Sequence, residues 1–328
     1  MDQPISAPQL RPMSLSDILD AAFRLYRKHF LTFVGIVALL LVPMAILQFL
    51  VQLPYAQALE RFAAAPLRAR PGQSPLDLFP FMELLPYYGL IAALSVVQYL
   101  VVYNLMIGAL ANAIASSYLG RPISILGAYR LGWRRALSLL GASLAPLLLW
   151  LLGVGVVAGC AFGALWSLGL RTGEQPNLGL AAVAVLGLIG MVVVFMLVGL
   201  FFYVRLLLST QAIVIEGCGA IEGLRRSWRL VGQSLWRSIG IVLLVFLMAS
   251  IVSYIVQLPM LAVAMVSTFV LKSLVLSQGL NALATYGALI LILPLQFIIF
   301  TLLYYDLRVR KEGYDLELLA QQAAAEAG

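Results

Sequence analysis

The sequence predicts an all-α, polytopic membrane protein with six transmembrane helices in three parallel two-helix repeats, each led in by a cytoplasmic amphipathic helix. Three observations predict it. Of the 328 residues, 62% are hydrophobic and only 11% are charged, whereas a soluble domain carries about a quarter charged residues. Six apolar stretches reach the length of about 18 residues that marks a bilayer-crossing helix, with cores near 31–53, 87–115, 137–166, 180–208, 239–263 and 282–304. A short signal, small-aromatic-Arg-Leu, occurs three times: Ala22-Phe23-Arg24-Leu25, Ala128-Tyr129-Arg130-Leu131 and Ser227-Trp228-Arg229-Leu230. Each copy precedes a long apolar stretch, and a glycine follows each arginine by 11 residues, at Gly35, Gly141 and Gly240.

The chain opens on a polar stretch with Pro4, Pro8 and Pro12, which reads as a loose tail over 1–13. Ser14 and Asp17 stand in capping-box position. Ile18, Leu19, Ala22, Phe23 and Tyr26 share one helical face, and Asp17, Asp20, Arg24, Arg27 and Lys28 dominate the rest. That pattern describes a helix lying on the inner leaflet. The first apolar stretch is too long for the about 7–15-residue core of a cleavable leader, so it is expected to remain as a span.

The first span ends at Val51-Gln52-Leu53-Pro54 and the fifth at Val256-Gln257-Leu258-Pro259. Aligned without a gap, 20–54 and 225–259 share 11 identities. The second and sixth spans agree at Tyr88-Gly89 with Tyr286-Gly287 and at Gln98 with Gln296. Gly120, Gly217 and Gly313 close the units. The repeats are therefore 14–120, 121–217 and 218–313 within a single membrane domain, 1–328, with tails at 1–13 and 318–328. Two spans per unit keep all units facing the same way. Pro43, Pro146, Pro259 and Pro294 are candidate kinks. Residues 54–86, 168–179 and 271–280 form the outer connections, with a short surface helix expected over 55–64.

Arginine and lysine set the orientation. Of the 21 basic residues, fifteen cluster in the first segment, the second-to-third and fourth-to-fifth connections and the tail. Only Arg61, Arg68, Arg70, Arg171 and Lys272 fall in the opposite connections. Both termini are thus expected in the cytoplasm, in a bacterial inner membrane. The net charge of +7 is a feature of that face, with no nucleic-acid partner implied. Cys160 and Cys218 fall too far apart in the topology for a disulfide.

The entry Leu10-Arg11-Pro12-Met13-Ser14-Leu15-Ser16-Asp17-Ile18-Leu19-Asp20-Ala21-Ala22-Phe23-Arg24-Leu25-Tyr26-Arg27 and the exit Tyr304-Tyr305-Asp306-Leu307-Arg308-Val309-Arg310-Lys311-Glu312-Gly313-Tyr314-Asp315-Leu316 resemble the glycerophosphoryl diester phosphodiesterase membrane-domain family. The resemblance implies the membrane part alone. The catalytic barrel fused to other members uses histidines, acidic residues and a divalent metal. This chain has one histidine, His29, and no room for a barrel.

No metalloprotease, nucleophile-elbow or phosphate-loop motif is present, so no catalytic residue, metal or cofactor is expected. Arg24, Arg130 and Arg229 are candidate lipid or anion ligands, because guanidinium takes phosphate bidentately. They either converge at the cytoplasmic mouth or anchor separately to anionic lipid. Arg205 is a charge within the fourth span, and such charges face a partner or water; Asp306, Glu216, Asn104 and Asn112 are candidate partners. Gln52, Gln257, Gln98, Gln296 and Asp306 read as structural polar groups joining spans. The expected role is non-catalytic: binding anionic inner-leaflet lipid, or organising a membrane partner, through the basic face. The alternative is a transporter of a lipid or small anionic solute with pseudo-three-fold repeats, whose plan resembles mitochondrial carriers without their Pro-x-[Asp/Glu]-x-x-[Lys/Arg] signature. An intramembrane lipid enzyme is the third reading.

Overall fold

The computed structural model describes residues 12–64, 81–118, 122–167, 178–270 and 273–313. Every regular element among them is helical. The helices are α1 (Leu15–Lys28), α2 (Phe30–Ala64), α3 (Phe81–Val97), α4 (Asn104–Tyr118), α5 (Ile125–Arg134), α6 (Ala136–Ser167), α7 (Leu178–Leu206), α8 (Ser209–Gln211), α9 (Ala220–Gly232), α10 (Leu235–Phe269) and α11 (Leu274–Glu312). Wider π-helical turns, Gln98–Tyr103 and Ala212–Glu216, follow α3 and α8. Six segments are long and apolar enough to cross a bilayer: Phe30–Ala58, Leu84–Tyr118, Ala136–Ala164, Ala182–Glu216, Leu235–Thr268 and Val275–Glu312. They match the six stretches read from the sequence and make this a multi-pass membrane protein.

The chain divides into two compact units, 1–136 with 240–328 and 137–239. These borders differ from those of the repeat blocks. In the first unit α11 is the central helix. Its apolar window is 61% buried, against 28% for the window in α2. Helices α1 and α2 pack on α11, and α4 packs on α5. Tyr304 and Tyr305 are fully buried on α11, and Tyr305 stacks on Tyr118 with ring centres 5.4 Å apart. In the second unit the windows of α6 and α7 are 0% buried, so their Leu, Val and Phe side chains are left for acyl chains to cover.

Local chemistry explains the ends of the short helices. The Asp17 N–H donates to Ser14 Oγ at 3.2 Å, and the Ser14 N–H donates to Asp17 Oδ2 at 2.9 Å, completing the capping box. Arg27 and Lys28 occupy the last turn of α1, where the helix dipole favours cations. Ser124 caps α5 by accepting the Gly127 N–H at 3.2 Å. Gly217 (φ 77°) and Gly313 (φ 62°) close their helices in the left-handed region, which glycine enters without a Cβ penalty. Gly120 lies outside the described residues, as do 65–80, 168–177 and 314–328.

Three expectations need correction. Helix α2 does not stop at Pro54 but runs through it to Ala64, so the surface helix expected over 55–64 is the continuation of the first span. Proline removes one N–H, and the flanking turns keep the other backbone groups paired, as a bilayer requires. Likewise α11 begins at Leu274, inside the turn expected at 271–280. The loose tail expected over 1–13 does not extend to Met13, which is buried. The candidate kink prolines 43, 146, 259 and 294 all lie inside continuous helices.

Candidate functional site

The structure places the three signal arginines on three short helices, α1, α5 and α9, and each is exposed. The residue before the aromatic is the buried one: Ala22 is 0% exposed, Ala128 3% and Ser227 0%. A small side chain there lets the helix lie close on its neighbours, and this turns the arginine two positions later towards the surroundings. Arg24 and Arg130 belong to the first unit and Arg229 to the second.

The glycine after each signal has a structural use in two copies. A Cβ on Gly35 would meet Ile125 Cδ1 at 2.8 Å, and one on Gly141 would meet Ala220 Cβ at 2.9 Å. Ile125 and Ala220 are the first residues of α5 and α9. Each of these glycines is therefore the seat for the start of the next short helix. Gly240, in the third copy, has nothing within 4 Å.

Two short helices are also pinned by tyrosines. Tyr26 donates to the Leu291 carbonyl at 2.8 Å, and Tyr129 donates to the Ile36 carbonyl at 2.6 Å. Burial raises the pKa of both hydroxyls, so both remain protonated donors at neutral pH. Burial, and then Lys28, lowers the pKa of His29, which leaves the cations of α1 as Arg24, Arg27 and Lys28.

Beside α1 lies an apolar groove of about 330 Å³, lined by Phe23, Tyr26, Phe30, Met248, Ala249 and Leu295 among others, with Gln296 also in the lining. Phe23, Tyr26 and Phe30 are spaced i, i+3, i+7 and share a face. Arg27 sits one turn beyond Phe23 on the same side of α1. The groove is thus apolar, and one of its walls is the helix that bears Arg24 and Arg27.

A second cavity, of about 210 Å³, lies between α2, the first π turn and α11. Its polar lining is Gln48, Gln52, Gln98, Asn281, Thr285 and Tyr286. Gln48 Nε2 donates to Gln98 Oε1 at 2.7 Å. Gln52 and Gln98, the first members of the two glutamine pairs read from the repeat, thus share one cavity, but Gln48 makes the bond, and their counterparts Gln257 and Gln296 are not in its lining. Where the π turn widens the backbone, Asn104 Nδ2 donates to the Leu100 carbonyl at 2.8 Å and the Tyr99 carbonyl at 3.2 Å. Gln257 is half-buried on α10.

Arg205 does not pair with Glu216, the expected partner within its own unit. Its Nη1 donates to the Trp228 carbonyl at 3.2 Å. Its guanidinium lies 4.7 Å from the Trp228 ring centre and 5.2 Å from that of Phe201, a favourable cation–π geometry. Glu216 instead pairs with Arg226 at 2.8 Å, and Asp306 with Arg310 at 2.9 Å. The chain leaves the α conformation just after Arg205. Ser227 mends that break: its hydroxyl donates to the Arg205 carbonyl at 2.7 Å and accepts the Leu208 N–H at 3.2 Å.

Gly232 makes room for this arginine, because a Cβ there would lie 2.5 Å from Nη1. Gly232→Ala is expected to dislodge the guanidinium and cost about 1–2 kcal/mol, the worth of a desolvated cation–π contact and its hydrogen bond. Thermal denaturation in mild detergent measures it. The cost should shrink in an Arg205→Met background, and an undiminished cost there would place the effect elsewhere.

Cys160 and Cys218 are both free. Cys218 Sγ donates to the Ala212 carbonyl at 3.2 Å. Burial first, and then Glu216, pushes the thiol pKa up, which keeps it an unreactive thiol. Among the described residues no group of three His, Cys, Asp or Glu could hold a metal ion.

No curated protein and no solved structure matches the chain. A family model, described as a domain of unknown function, DUF7847, matches residues 31–307. That match reaches into all six spans, and it leaves out the whole entry motif and everything in the exit motif beyond Leu307. Its description makes no connection to glycerophosphoryl diester phosphodiesterase membrane proteins. The chain belongs to the DUF7847 family.

Proposed function

We propose that this protein is a non-catalytic lipid-binding protein of the bacterial inner membrane. On this reading α1, α5 and α9 are amphipathic helices on the cytoplasmic face, and each begins one of three parallel two-span repeats. The seating of α5 on Gly35 and of α9 on Gly141 supports the repeat. The basic bias of the same connections supports the orientation. The resemblance to the phosphodiesterase-associated membrane family is part of this proposal and adds no activity to it.

One observation carries the reading: an apolar groove within the span region, lined in part by α1, the helix that also carries the exposed Arg24 and Arg27. An anionic phospholipid fits both parts. Its phosphate meets Arg27 and Arg24, and an acyl chain lies over Phe23, Phe30 and Met248. The volume is at the lower end of the about 300–1,000 Å³ usual for ligand sites, which suits a single chain.

Native mass spectrometry of the protein from nanodiscs of mixed phosphatidylglycerol and phosphatidylcholine tests this. Ala249→Trp, which fills the groove, and Arg27→Gln, which removes an α1 cation worth about 1 kcal/mol, should each lower retained phosphatidylglycerol about fivefold. Leu186→Trp, on the exposed face of α7, should not. Equal retention by all three would defeat the groove as the site. A membrane protein co-purifying in place of lipid would favour the partner-organising role.

The transport reading rests on the second cavity, the polar one within the spans. Its lining carries no cationic side chain, which favours an uncharged solute over an anion.

A further inference from the structure

We infer that the cavity between α2, the first π turn and α11 is a binding site for a small uncharged polyol. The inference is independent of the lipid groove, with which the cavity shares no lining residue.

Gln48, Gln52, Gln98, Asn281, Thr285 and Tyr286 supply only carboxamides and hydroxyls. Each carboxamide offers donors and an acceptor side by side, and each hydroxyl is both. A row of hydroxyls on a ligand is the complement of such a lining. A carboxylate, phosphate or ammonium would find no countercharge there, and an unpaired charge at this depth is costly.

Several of these groups are idle. Gln48 and Gln98 bond to each other, whereas Gln52, Asn281 and Thr285 have no partner among the described residues. Thr301 and Thr268 satisfy their hydroxyls on their own helices, through the Phe297 carbonyl at 2.8 Å and the Ala264 carbonyl at 2.9 Å. Thr285 does not. Polar groups within a span do not stand bare against hydrocarbon, so this cavity holds water or a molecule that replaces water. Asn281 and Thr285, one helical turn apart, are exposed and form its open side. At about 30 Å³ per water, the 210 Å³ holds about seven waters or one polyol the size of erythritol. The π turn fits this reading, because such turns recur at functional sites.

Equilibrium dialysis of labelled erythritol against the full-length protein in mild detergent tests the inference. Labelled threonate, the same skeleton with a carboxylate, is the charged comparison. Saturable erythritol binding, at least tenfold stronger than that of threonate, is expected. Thr285→Val and Gln52→Leu should each weaken it about threefold to tenfold, the worth of one hydrogen bond. Gln257→Leu, outside the cavity, should leave it unchanged. Absence of saturable erythritol binding, or equal binding of threonate, would overturn the inference without recourse to any variant. Loss of lipid retention in the groove variants leaves it standing, so the two proposals fail separately.

Discussion

Replacing Asp306 with alanine is expected to lower the stability of the first unit by about 2–3 kcal/mol, the worth of hydrogen bonds to a buried charged group. Asp306 is 0% exposed. It accepts the Met13 N–H at 2.8 Å and the Arg310 Nε–H at 2.9 and 3.1 Å. Arg310 Nη2 then donates to the Met13 carbonyl at 2.8 Å. Carboxylate, guanidinium and the backbone N–H and C=O of Met13 thus close a ring that ties the entry of the chain to the end of α11. Removal of the carboxylate takes this acceptor from the Met13 N–H and loosens the hold of α11 on the entry of the chain. Asp306→Asn keeps an acceptor and should cost less, because Arg310, 35% exposed, can turn to water. Glu312→Ala, which breaks the outlying i, i+4 pair with Arg308 at 3.3 Å, should cost about 0.5 kcal/mol. Thermal denaturation in detergent compares the three. An Asp306→Ala variant no less stable than Glu312→Ala would show that the ring holds nothing together.

The entry and exit motifs were legible as motifs, but their meeting was not. Met13 and Asp306 are 293 positions apart, and nothing in either stretch names the other. What the sequence could show was local: the capping box at Ser14, the apolar spans, and the glycines that end helices at 217 and 313. Pro54 misled because proline weighs against a helix in water, whereas in hydrocarbon the remaining backbone bonds outweigh one lost N–H.

At the candidate sites repetition pointed to the right helices and the wrong residues. Arg24, Arg130 and Arg229 recur, yet the packing depends on the small residue two places earlier and, in the first two copies, on the glycine 11 places later. Ser227 illustrates why. A serine among alanines reads as a neutral swap, until the break in α7 gives its hydroxyl two backbone groups to join. The groove escaped notice because Phe23, Met248 and Leu295 are ordinary apolar residues far apart in the chain. Gln48 escaped because it has no counterpart in the other blocks, while its cavity partners Gln52 and Gln98 do.

Helix α5 lies close on the backbone of α4 at Gly132, so Gly132→Val should separate the two helices. A Cβ at this position would lie 3.0 Å from the Ala109 nitrogen and 3.2 Å from the Gly108 carbonyl carbon. Both are backbone atoms inside α4, so no side chain can swing aside to admit it. Overpacking of this kind costs about 1–3 kcal/mol, and valine adds the crowding of its second methyl. A second loss follows, because any retreat of α5 draws Tyr129 from the Ile36 carbonyl, 2.6 Å away. Tyr129→Phe should therefore cost about 1 kcal/mol in the native background and much less beside Gly132→Val. Gly89 provides the opposite case. A Cβ there meets nothing within 4 Å, so Gly89→Ala in α3 should be neutral or stabilising by up to about 1 kcal/mol. Melting temperatures in detergent decide the matter: if Gly132→Val is as harmless as Gly89→Ala, then α5 is not held against α4 by that glycine.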